Sequence, residues 1–498
     1  MPASFILALD QGTTSSRAIL FGAPGEVRGT AQHEFTQIFP QAGWVEHDAM
    51  EIWSTQLRCM KEALAAASAS ASDIAAIGIT NQRETVVIWD RKSGVPIHHA
   101  LVWQDRRTAP LMTAMKSDGR ESRLRERTGL LADPYFSASK AAWILDHVPG
   151  ARARAERGEL AFGTIDTWLI WNLTGGRVHA TDASNASRTL LFDIHSNSWS
   201  EELCAMFDVP RRMLPAIVSS AGVFAETDAA LLGAAIPIAG VAGDQQAALF
   251  GQGCFSPGSA KNTYGTGCFL LANAGAKCPT PPAGLLATIA WQINGVTTYA
   301  IEGGVFTGGA AIQWLRDGLQ MIPSAKDVNV LAASVPDSGG VMVVPAFAGL
   351  GAPWWDPDAR GCILGLTRGS TRAHIARATL EGIAHQVADL VGAIAPALPS
   401  RLHALRVDGG AAASDLLLQT QADLLGTMVE RPKVLETTAL GAASLARLGV
   451  GQARNMDELG INTIIERTFA PSMDAASRET ARRRWSNAVA RSRSLDVP

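Results

Sequence analysis

The sequence predicts an α/β protein in which two similar domains face each other across a cleft. The chain has 498 residues, enough for two to four domains of roughly 150 residues each. Short apolar runs that suit buried strands alternate with helical segments, as in proteins built around a largely parallel sheet. Two hairpins of one design, at residues 5–22 and 260–272, suggest two related domains.

The composition argues against several classes of protein. Hydrophobic residues make up 47% of the chain and charged residues 18%, the balance of a protein with large apolar cores. A net charge of −3 gives no general attraction to nucleic-acid phosphates. The six cysteines are scattered and include no CxxC pair. Neither a disulfide framework nor a zinc site is therefore predicted, and a reducing cytoplasm fits best.

The sequence also lacks the common targeting and catalytic motifs. No basic leader with a cleavage site precedes the first strand, and no apolar run reaches the roughly 18 residues of a membrane span, so we expect neither secretion nor insertion. A Walker A loop, a GxSxG elbow, an HExxH helix and an HRD kinase loop are missing. Any ATP must therefore bind to a different kind of site.

The first hairpin carries a turn that suits a phosphate and a metal ion. Phe5–Leu9 is an apolar run typical of a buried strand, and Ala18–Phe21 forms the return strand. Gly12 relaxes the backbone between them, so that hydroxyl and N–H groups can converge on one point. The turn carries Asp10, Thr13, Thr14, Ser15, Ser16 and Arg17. We predict a phosphate there, with Asp10 holding its metal ion; the alternative is an ordinary hairpin with a polar turn.

An arginine and a glutamate follow the next predicted strand. Asp48 and Glu51 form a capping-box pattern for a helix of about 17 residues, and Asp73–Thr80 is typical of a buried strand. Arg83 and Glu84 come at its carboxyl end, where open α/β sheets bind ligands. They place donors beside an acceptor, which suits the neighbouring hydroxyl groups of a polyol. The alternative is a solvated turn.

Two aromatic residues in the same region allow two interpretations. Trp103 precedes a polar segment, and Tyr135 lies in a turn before the helix predicted at Ala138–His147. Either ring can face a ligand or pack in the core. Gly163–Trp171 and the strand-like run Ser187–Ile194 are predicted to fill the core, and we assign no chemistry to them.

The stretch Ile238–Gln252 joins a strand of small residues to a helix at Asp244. An aspartate at such a junction suits a helix N-cap. The same carboxylate, next to a glycine in a cleft, can act as a general base toward a substrate hydroxyl, with Gln245 orienting that hydroxyl. The two roles are compatible.

The second hairpin, Ala260–Ala272, repeats the design of the first. Its turn, Gly265–Gly267, contains glycines and a threonine, and its return strand carries Phe269. We place the domain boundary just before it, which gives an N-terminal domain of residues 1–252 and a C-terminal domain of residues 253–498.

The C-terminal half contains two further junctions between strands and helices. Gly308-Gly309 opens a helix whose N-terminus is predicted to accept a flat ring or a phosphate. A long helix is predicted at Arg372–Ile394, followed by a strand at Leu402–Val407. Asp408–Ala412 then forms a double-glycine turn, a weak indication of nucleotide binding. The arginines of residues 482–493 suit a solvated helical tail.

Several motifs are long enough to carry a resemblance. They are ALDQGTTSSRA at residues 8–18, GWVEHD at 43–48, ITNQRET at 79–85, DPYFS at 133–137, AGDQQAALFGQ at 242–252, NTYGTGCF at 262–269 and GCILGL at 361–366. With these motifs the chain resembles the FGGY carbohydrate kinase family over nearly its whole length. The resemblance implies an actin-like (ribonuclease H-like) fold in both domains, with a nucleotide and substrate cleft between them.

The resemblance also implies an activity and a set of site residues. The activity is the ATP- and Mg²⁺-dependent phosphorylation of glycerol to sn-glycerol 3-phosphate in glycerol catabolism, with Asp244 as the general base, in a cytoplasmic homo-oligomer (dimer or tetramer). Residues implied to contact glycerol are Arg83, Glu84, Trp103, Tyr135, Asp244, Gln245 and Phe269. Residues implied to contact the nucleotide are Thr13, Thr14, Ser15, Arg17, Thr266, Gly309, Gln313, Gly410, Ala411 and Ser414, and Asp10 is implied to support Mg²⁺.

Two positions depart from the family's pattern. Ser414 stands where the family commonly has asparagine near the adenine, so that contact can weaken or pass to Asp415. Leu231–Ile238 lacks the loop by which some bacterial members bind fructose 1,6-bisphosphate, so we do not expect that regulation.

Two alternative functions remain. The first is a family member that acts on another polyol or ketose; the two aromatic residues and the Arg–Glu pair argue against it. The second is a non-catalytic ATP-gated binding protein or repressor on the same fold.

Overall fold

The computed structural model describes residues 4–22, 25–434, 436–461 and 465–493. The strands are β1 (Phe5–Gln11), β2 (Ser15–Phe21), β3 (Val27–Glu34), β4 (Glu46–His47), β5 (Ile74–Asn81), β6 (Val87–Asp90), β7 (Ala100–Leu101), β8 (Leu160–Gly163), β9 (Ala180–Asp182), β10 (Phe192–Asp193), β11 (Ser198–Trp199), β12 (Ala216–Val218), β13 (Ala221–Glu226), β14 (Pro237–Gly243), β15 (Ala260–Tyr264), β16 (Cys268–Gly275), β17 (Leu286–Ile293), β18 (Val296–Val305), β19 (Met342–Val344), β20 (Cys362–Leu364), β21 (Ala404–Asp408), β22 (Met428–Pro432) and β23 (Ile465–Phe469).

Helices connect and cover these strands. They are α1 (Ala49–Ala66), α2 (Ala109–Ser117), α3 (Arg120–Thr128), α4 (Ser137–His147), α5 (Ala151–Glu156), α6 (Ile165–Leu173), α7 (Ala183–Ala186), α8 (Glu201–Phe207), α9 (Ala229–Leu232), α10 (Asp244–Gly251), α11 (Gly309–Asp317), α12 (Asp327–Ala333), α13 (Arg372–Ile394), α14 (Asp415–Leu425), α15 (Thr437–Gly449) and α16 (Ala475–Ser492). None of the helices in the described part of the chain combines the length and the apolar character of a membrane span.

One large sheet runs through both halves of the molecule and confirms the predicted α/β class. Its strand order is β23-β22-β21-β15-β16-β18-β17-β13-β14-β5-β1-β2-β3. In the first half β1 pairs antiparallel with β2, and β2 with β3, whereas β1 and β5, and β5 and β14, pair in parallel. Strands β15, β16, β18, β21 and β22 repeat this arrangement in the second half. The two halves therefore share one topology.

The first strand is buried on both faces, as its apolar sequence predicts. Leu7 and Leu9 pack in a core with residues of α1 and α6, whereas Ile6 and Ala8 face a second core with residues of α15. All four side chains are fully buried. Because neighbouring side chains of a strand point to opposite faces, a strand between two helical layers must be apolar at every position.

Helices α10 and α15 join the two halves at close range. A Cβ built on Gly251 would lie 2.0 Å from the carbonyl oxygen of Thr437, and one built on Gly441 would lie 1.8 Å from the carbonyl oxygen of Ala247. Real Cβ atoms do not approach backbone so closely. Only glycine at these two positions therefore allows the helices to cross at this separation.

Three local predictions are wrong. Asp48 caps α1 by accepting from the amide of Met50, but Glu51 binds Thr36 instead of completing a capping box. In Ser187–Ile194 only Phe192–Asp193 forms a strand. The arginine-rich end is not a solvated tail, because α16 is anchored through Trp485, which is buried and donates to Asp389 Oδ2 at 2.7 Å.

We expect the buried carboxyl group of Asp166 to make stability fall as the pH rises. Thr164 and Thr181 donate to it at 2.5 and 2.6 Å, and burial raises its pKa to about 7. The folded state thus holds a proton that the unfolded chain releases near pH 4, so this contribution is complete below about pH 4 and is lost as the pH rises through about 7. Urea unfolding between pH 5 and 8 should show this fall in wild type and not in Asp166→Asn; parallel profiles would contradict it.

Candidate active site

Polar side chains from both halves meet at the carboxyl ends of the central parallel strands. Gln82, just after β5, donates its amide to the side chain of Gln11 and to the carbonyl of Gly12, both at 3.1 Å. This ties the first hairpin turn to the end of β5. Gln252, just after α10, donates to Asp408 at the end of β21, at 2.9 Å. Such strand ends are where open α/β sheets bind their ligands.

The first hairpin turn presents a carboxylate held by one arginine. Asp10 and Arg17 are paired across the hairpin, and Arg17 Nη2 donates to Asp10 Oδ2 at 2.8 Å. The other end of the guanidinium binds Glu436 at 2.6 Å. Asp10 is therefore fixed in orientation while its second oxygen is free of that arginine.

The hydroxyl groups of this turn point in different directions. Thr14 is exposed, Thr13 accepts from Trp103 Nε1 at 3.0 Å, and Ser15 accepts from Gln32 at 2.8 Å. Ser16 was expected at the same point, but it is buried and bonds Thr55 of α1 at 2.9 Å. Alternation along β2 explains the difference, because neighbouring residues of a strand face opposite sides.

Arg83 lies at the centre of a buried ionic cluster. Its Nη1 and Nη2 donate to the two oxygens of Glu302 at 2.6 and 2.9 Å, and its Nε lies 3.2 Å from Asp244 Oδ1. Nη2 also donates to the hydroxyl of Tyr135 at 3.3 Å. Only 2% of Arg83 is exposed. A guanidinium with all three nitrogens engaged in this way has a fixed plane.

Glu84 lies beside Arg83 in a conformation unusual for its type. Its φ is +64°, in the left-handed region, where a glutamate is strained. The side chain is buried, and Oε1 accepts from Arg188 Nε at 2.7 Å. Burial raises the pKa of Glu84, while the charges of Arg83 and Arg188 lower it. Backbone strain of this kind is concentrated at functional sites.

Asp244 is the first residue of α10, and the N-cap position belongs to Gly243, contrary to the expectation that Asp244 is the cap. Its Oδ1 accepts from the amide of Gln245 at 2.7 Å, and one third of the side chain (33%) is exposed. Burial raises the pKa of Asp244, opposed by the nearby charges of Arg83 and Lys261. An accessible carboxylate with a raised pKa suits a general base.

Lys261 is a site residue that the sequence did not indicate. It is buried on β15, and its Nζ donates to the side chain of Gln245 and to Thr263 Oγ1, the latter at 2.9 Å. Burial lowers the pKa of Lys261. The contact brings the second half of the chain to the residue beside Asp244. Lys261 is the one charged residue of β15, which is the sequence signal that could have found it.

Three aromatic residues are expected at the site, two from the first half and one from the second. Trp103 and Tyr135 form an edge-to-face pair with ring centroids 5.5 Å apart. Phe269 comes from β16 of the second half, opposite Thr263, and is half-buried. The structure thus brings Trp103 and Tyr135 together. Phe269 lies on β16, which pairs with β15, the strand that carries Lys261.

The second hairpin turn packs directly on the start of α11. The amides of Gly308 and Gly309 donate to the carbonyl groups of Thr266 and Gly265 at 2.7 and 2.8 Å. These two amides are therefore not available as donors to a ring or phosphate that approaches the start of α11. Thr266 itself and Gln313 are exposed on the surface of this turn and helix.

The double-glycine junction after β21 has free space at Gly410 but is buried at Ser414. A Cβ built on Gly410 would meet nothing within 4 Å, and Ala411 follows it in a short 3-10 turn. Ser414 is the N-cap of α14, accepts from the amide of Leu417 at 3.2 Å and is only 3% exposed. The hydroxyl also donates to Asn329 Oδ1, so its proton and one of its lone pairs are already used within the protein.

The alternative residue at this junction is already paired. Asp415 binds Arg431 at 2.8 Å and also Arg467. An adenine contact from either side chain of this junction therefore competes with an existing interaction.

Two related α/β halves, each supplying a hairpin turn to a cleft with an accessible carboxylate, define a phosphoryl-transfer enzyme of the kinase class. The family models agree with this assignment. Residues 5–251 match the N-terminal domain of the FGGY family of carbohydrate kinases, and residues 260–449 match its C-terminal domain. The chain belongs to this family.

Individual relatives extend the match. The chain is 58% identical over 493 residues to a glycerol kinase of Symbiobacterium thermophilum, covering 99% of both chains. The crystal structure of Plasmodium falciparum glycerol kinase with ADP has a TM-score of 0.93 and 36% identity, over 99% of this chain and 98% of that one. A ligand-bound xylulose kinase from Lactobacillus acidophilus has a TM-score of 0.88 over 98% and 97% of the chains, but at 21% identity it shares the fold alone.

Proposed function

We propose that the protein transfers the γ-phosphoryl group of ATP to a primary hydroxyl of glycerol, giving sn-glycerol 3-phosphate and ADP, in glycerol catabolism. The observation that carries this proposal is the juxtaposition of Asp244 and Arg83 at 3.2 Å, with Glu84 beside them. One base, one donor fork and one acceptor match the hydroxyl groups of a short polyol. The glycerol kinases among the relatives support this choice of substrate.

The substrate site is proposed to be small. Trp103 and Tyr135 form one wall, and Phe269 supplies the opposite one, so the carbon chain would lie between aromatic rings. Polar side chains would fix its hydroxyl groups; these are Arg83, Glu84, Tyr135, Asp244 and Gln245. A site that hydrogen-bonds each hydroxyl can reject an analogue lacking one by roughly 10⁴.

The nucleotide is proposed to lie along the two hairpin turns and the junction after β21. The residues proposed to line it are Thr13, Thr14, Ser15, Arg17, Thr266, Gly309, Gln313, Gly410, Ala411 and Ser414. Asp10 would hold the Mg²⁺ of Mg·ATP. Within the described residues no group of three or more His, Cys, Asp or Glu side chains could hold a metal. One carboxylate with substrate phosphates is the usual protein ligation of Mg²⁺, and Asp10, with one oxygen held by Arg17, fits it.

In the proposed reaction Asp244 takes the proton of the attacking hydroxyl. Arg83 Nε lies close enough to stabilise that carboxylate before transfer, and the aromatic walls exclude water, the competing nucleophile. Mg²⁺, when bound, neutralises charge on the transferred phosphoryl group. We propose residues 1–252 and 253–498 as the two domains whose closure brings glycerol and ATP together.

The test is ADP release by the purified protein with Mg·ATP and a panel of acceptors: glycerol, dihydroxyacetone, erythritol, xylulose and gluconate. We expect glycerol to give the highest kcat/KM. A higher kcat/KM for another acceptor of the panel would contradict the proposal and assign the protein a different kinase activity of the family. ATP binding without phosphorylation of any acceptor would favour the non-catalytic alternative.

We further propose that the protein is a cytoplasmic homo-oligomer, either a dimer or a tetramer. The six cysteines, all within the described residues, are free thiols, which suits a reducing compartment. Sedimentation equilibrium tests the assembly; a monomer at micromolar concentration would contradict it.

A further inference from the structure

Arg188 is a buried arginine with two acidic partners at the proposed substrate site. Its Nε donates to Glu84 Oε1 at 2.7 Å, and its Nη2 donates to Glu302 Oε1 at 3.1 Å. The side chain is fully buried, and Nη1 has no hydrogen-bond partner. A buried charge is retained only where it is paired, so both carboxylates depend on this guanidinium.

Glu302 lies on β18 of the second half and binds both arginines of the first half. It accepts two parallel hydrogen bonds from Arg83, at 2.6 and 2.9 Å, and a third from Arg188 at 3.1 Å. The two arginines hold the pKa of Glu302 down, to about 2, against its burial. A bidentate carboxylate of this kind fixes the plane of its arginine.

The four side chains form a closed ring of alternating charge. The order is Arg83, Glu302, Arg188 and Glu84, and the ring closes where Arg83 Nε lies 3.7 Å from Glu84 Oε1. Two members of the ring are proposed glycerol ligands, and each of those is oriented by one of the other two. Glu302 turns Arg83 so that its Nε faces Asp244, and Arg188 holds Glu84 in its strained conformation.

We propose that Arg188 and Glu302 are positioning residues that set glycerol affinity and selectivity, which rests on the proposed function. Neither needs to touch the substrate. Besides the aromatic ring of Phe269, Glu302 gives the second domain a polar part in the glycerol site, because it fixes a first-domain ligand from across the cleft. Removing the charge of Glu302 leaves Arg83 free to rotate away from Asp244. Removing Arg188 takes from Glu84 its closer ion pair, at 2.7 Å, and leaves only the longer one to Arg83 to offset its backbone strain.

The test compares Glu302→Gln and Arg188→Met with wild type. We expect the KM for glycerol to rise at least tenfold in each, with the KM for ATP changed less than about twofold. The preference for glycerol over 1,3-propanediol, which lacks the middle hydroxyl, should also fall at least tenfold, since a site that no longer orients its polar groups loses discrimination. Arg188→Lys, which keeps the charge but loses the fork, should lie between wild type and Arg188→Met.

Asp389→Asn is the matched control. Asp389 is also a largely buried carboxylate (9% of its side chain exposed) paired with an arginine, Arg482 at 2.9 Å, but it lies under α16. We expect it to lower the melting temperature without changing the KM for glycerol or the preference over 1,3-propanediol. If Glu302→Gln and Arg188→Lys behave like this control, the ring is only structural and the inference is wrong. If wild type itself does not phosphorylate glycerol, the proposed function fails first.

Discussion

Replacing Asp244 by asparagine is expected to lower kcat by about 10² to 10⁴ and to leave glycerol binding largely intact. Asparagine has the same shape and can still accept a hydrogen bond from Arg83 Nε, which lies 3.2 Å from Asp244 Oδ1. It cannot take the proton of the attacking hydroxyl. Arg83 keeps its two hydrogen bonds to Glu302, so the substrate site should retain its geometry.

Single-turnover phosphorylation and equilibrium binding of glycerol separate the two effects for Asp244→Asn. Near-normal turnover would remove Asp244 from the base role, whereas lost binding would make it mainly a ligand. The pH dependence adds a second readout. Burial raises the pKa of Asp244, so the wild-type rate should fall on the acid side at a higher pH than a free aspartate gives. That acid limb should be absent in the variant.

The sequence predicts those parts of the site that depend on neighbours in the chain. Asp10 and Arg17 face each other across the first hairpin because a strand, a short turn and a return strand bring them together. Arg83 and Glu84 follow β5 directly, and Asp244 follows β14, so strand order alone places them at one edge of the sheet. The second hairpin, which repeats the design of the first, likewise predicts that the second half of the chain is a related α/β domain.

The partners of these residues come from distant positions and could not be predicted in this way. Arg83 and Glu302 are 219 residues apart, and Arg188 and Glu84 are 104 apart. The segment around Arg188 has the composition of a strand, yet residues 187–191 form a turn and bends, and Leu190 has a φ of +64°, outside the extended region. Tertiary packing overrides β-propensity at this point. Glu302 is the one charged residue of β18, and this was the available sequence signal for it.

The expected adenine contact illustrates a second limit. A resemblance carries over a residue's position but not the hydrogen bonds of a different side chain at that position. Ser414, where the resemblance leads us to expect an asparagine, serves as a helix cap and accepts from the amide of Leu417 at 3.2 Å. A shorter side chain with a good local partner has little reach toward a ligand. Contacts from Gly410 and Ala411 are the more accessible part of that junction.

Replacing Asp10 by asparagine is expected to impair the use of Mg·ATP while leaving the affinity for glycerol nearly unchanged. Asparagine keeps an oxygen for Arg17, which lies 2.8 Å from Asp10 Oδ2, but it removes the negative charge proposed to hold Mg²⁺. We expect kcat to fall at least tenfold and the Mg²⁺ concentration for half-maximal rate to rise. Initial rates over a Mg²⁺ titration at fixed ATP measure both, and isothermal titration measures glycerol binding.

Glu436→Gln is the control that separates metal binding from the orientation of Arg17. Glu436 is the other partner of Arg17, at 2.6 Å, and its side chain is 43% exposed. Losing that pair disturbs Arg17 without touching the carboxylate of Asp10, so the Mg²⁺ dependence should stay at the wild-type value. If both variants shift it equally, the defect belongs to Arg17 and not to a metal ligand. A selective loss of glycerol binding in Asp10→Asn would contradict the assignment of Asp10 as the Mg²⁺ ligand and of Asp244 as the general base.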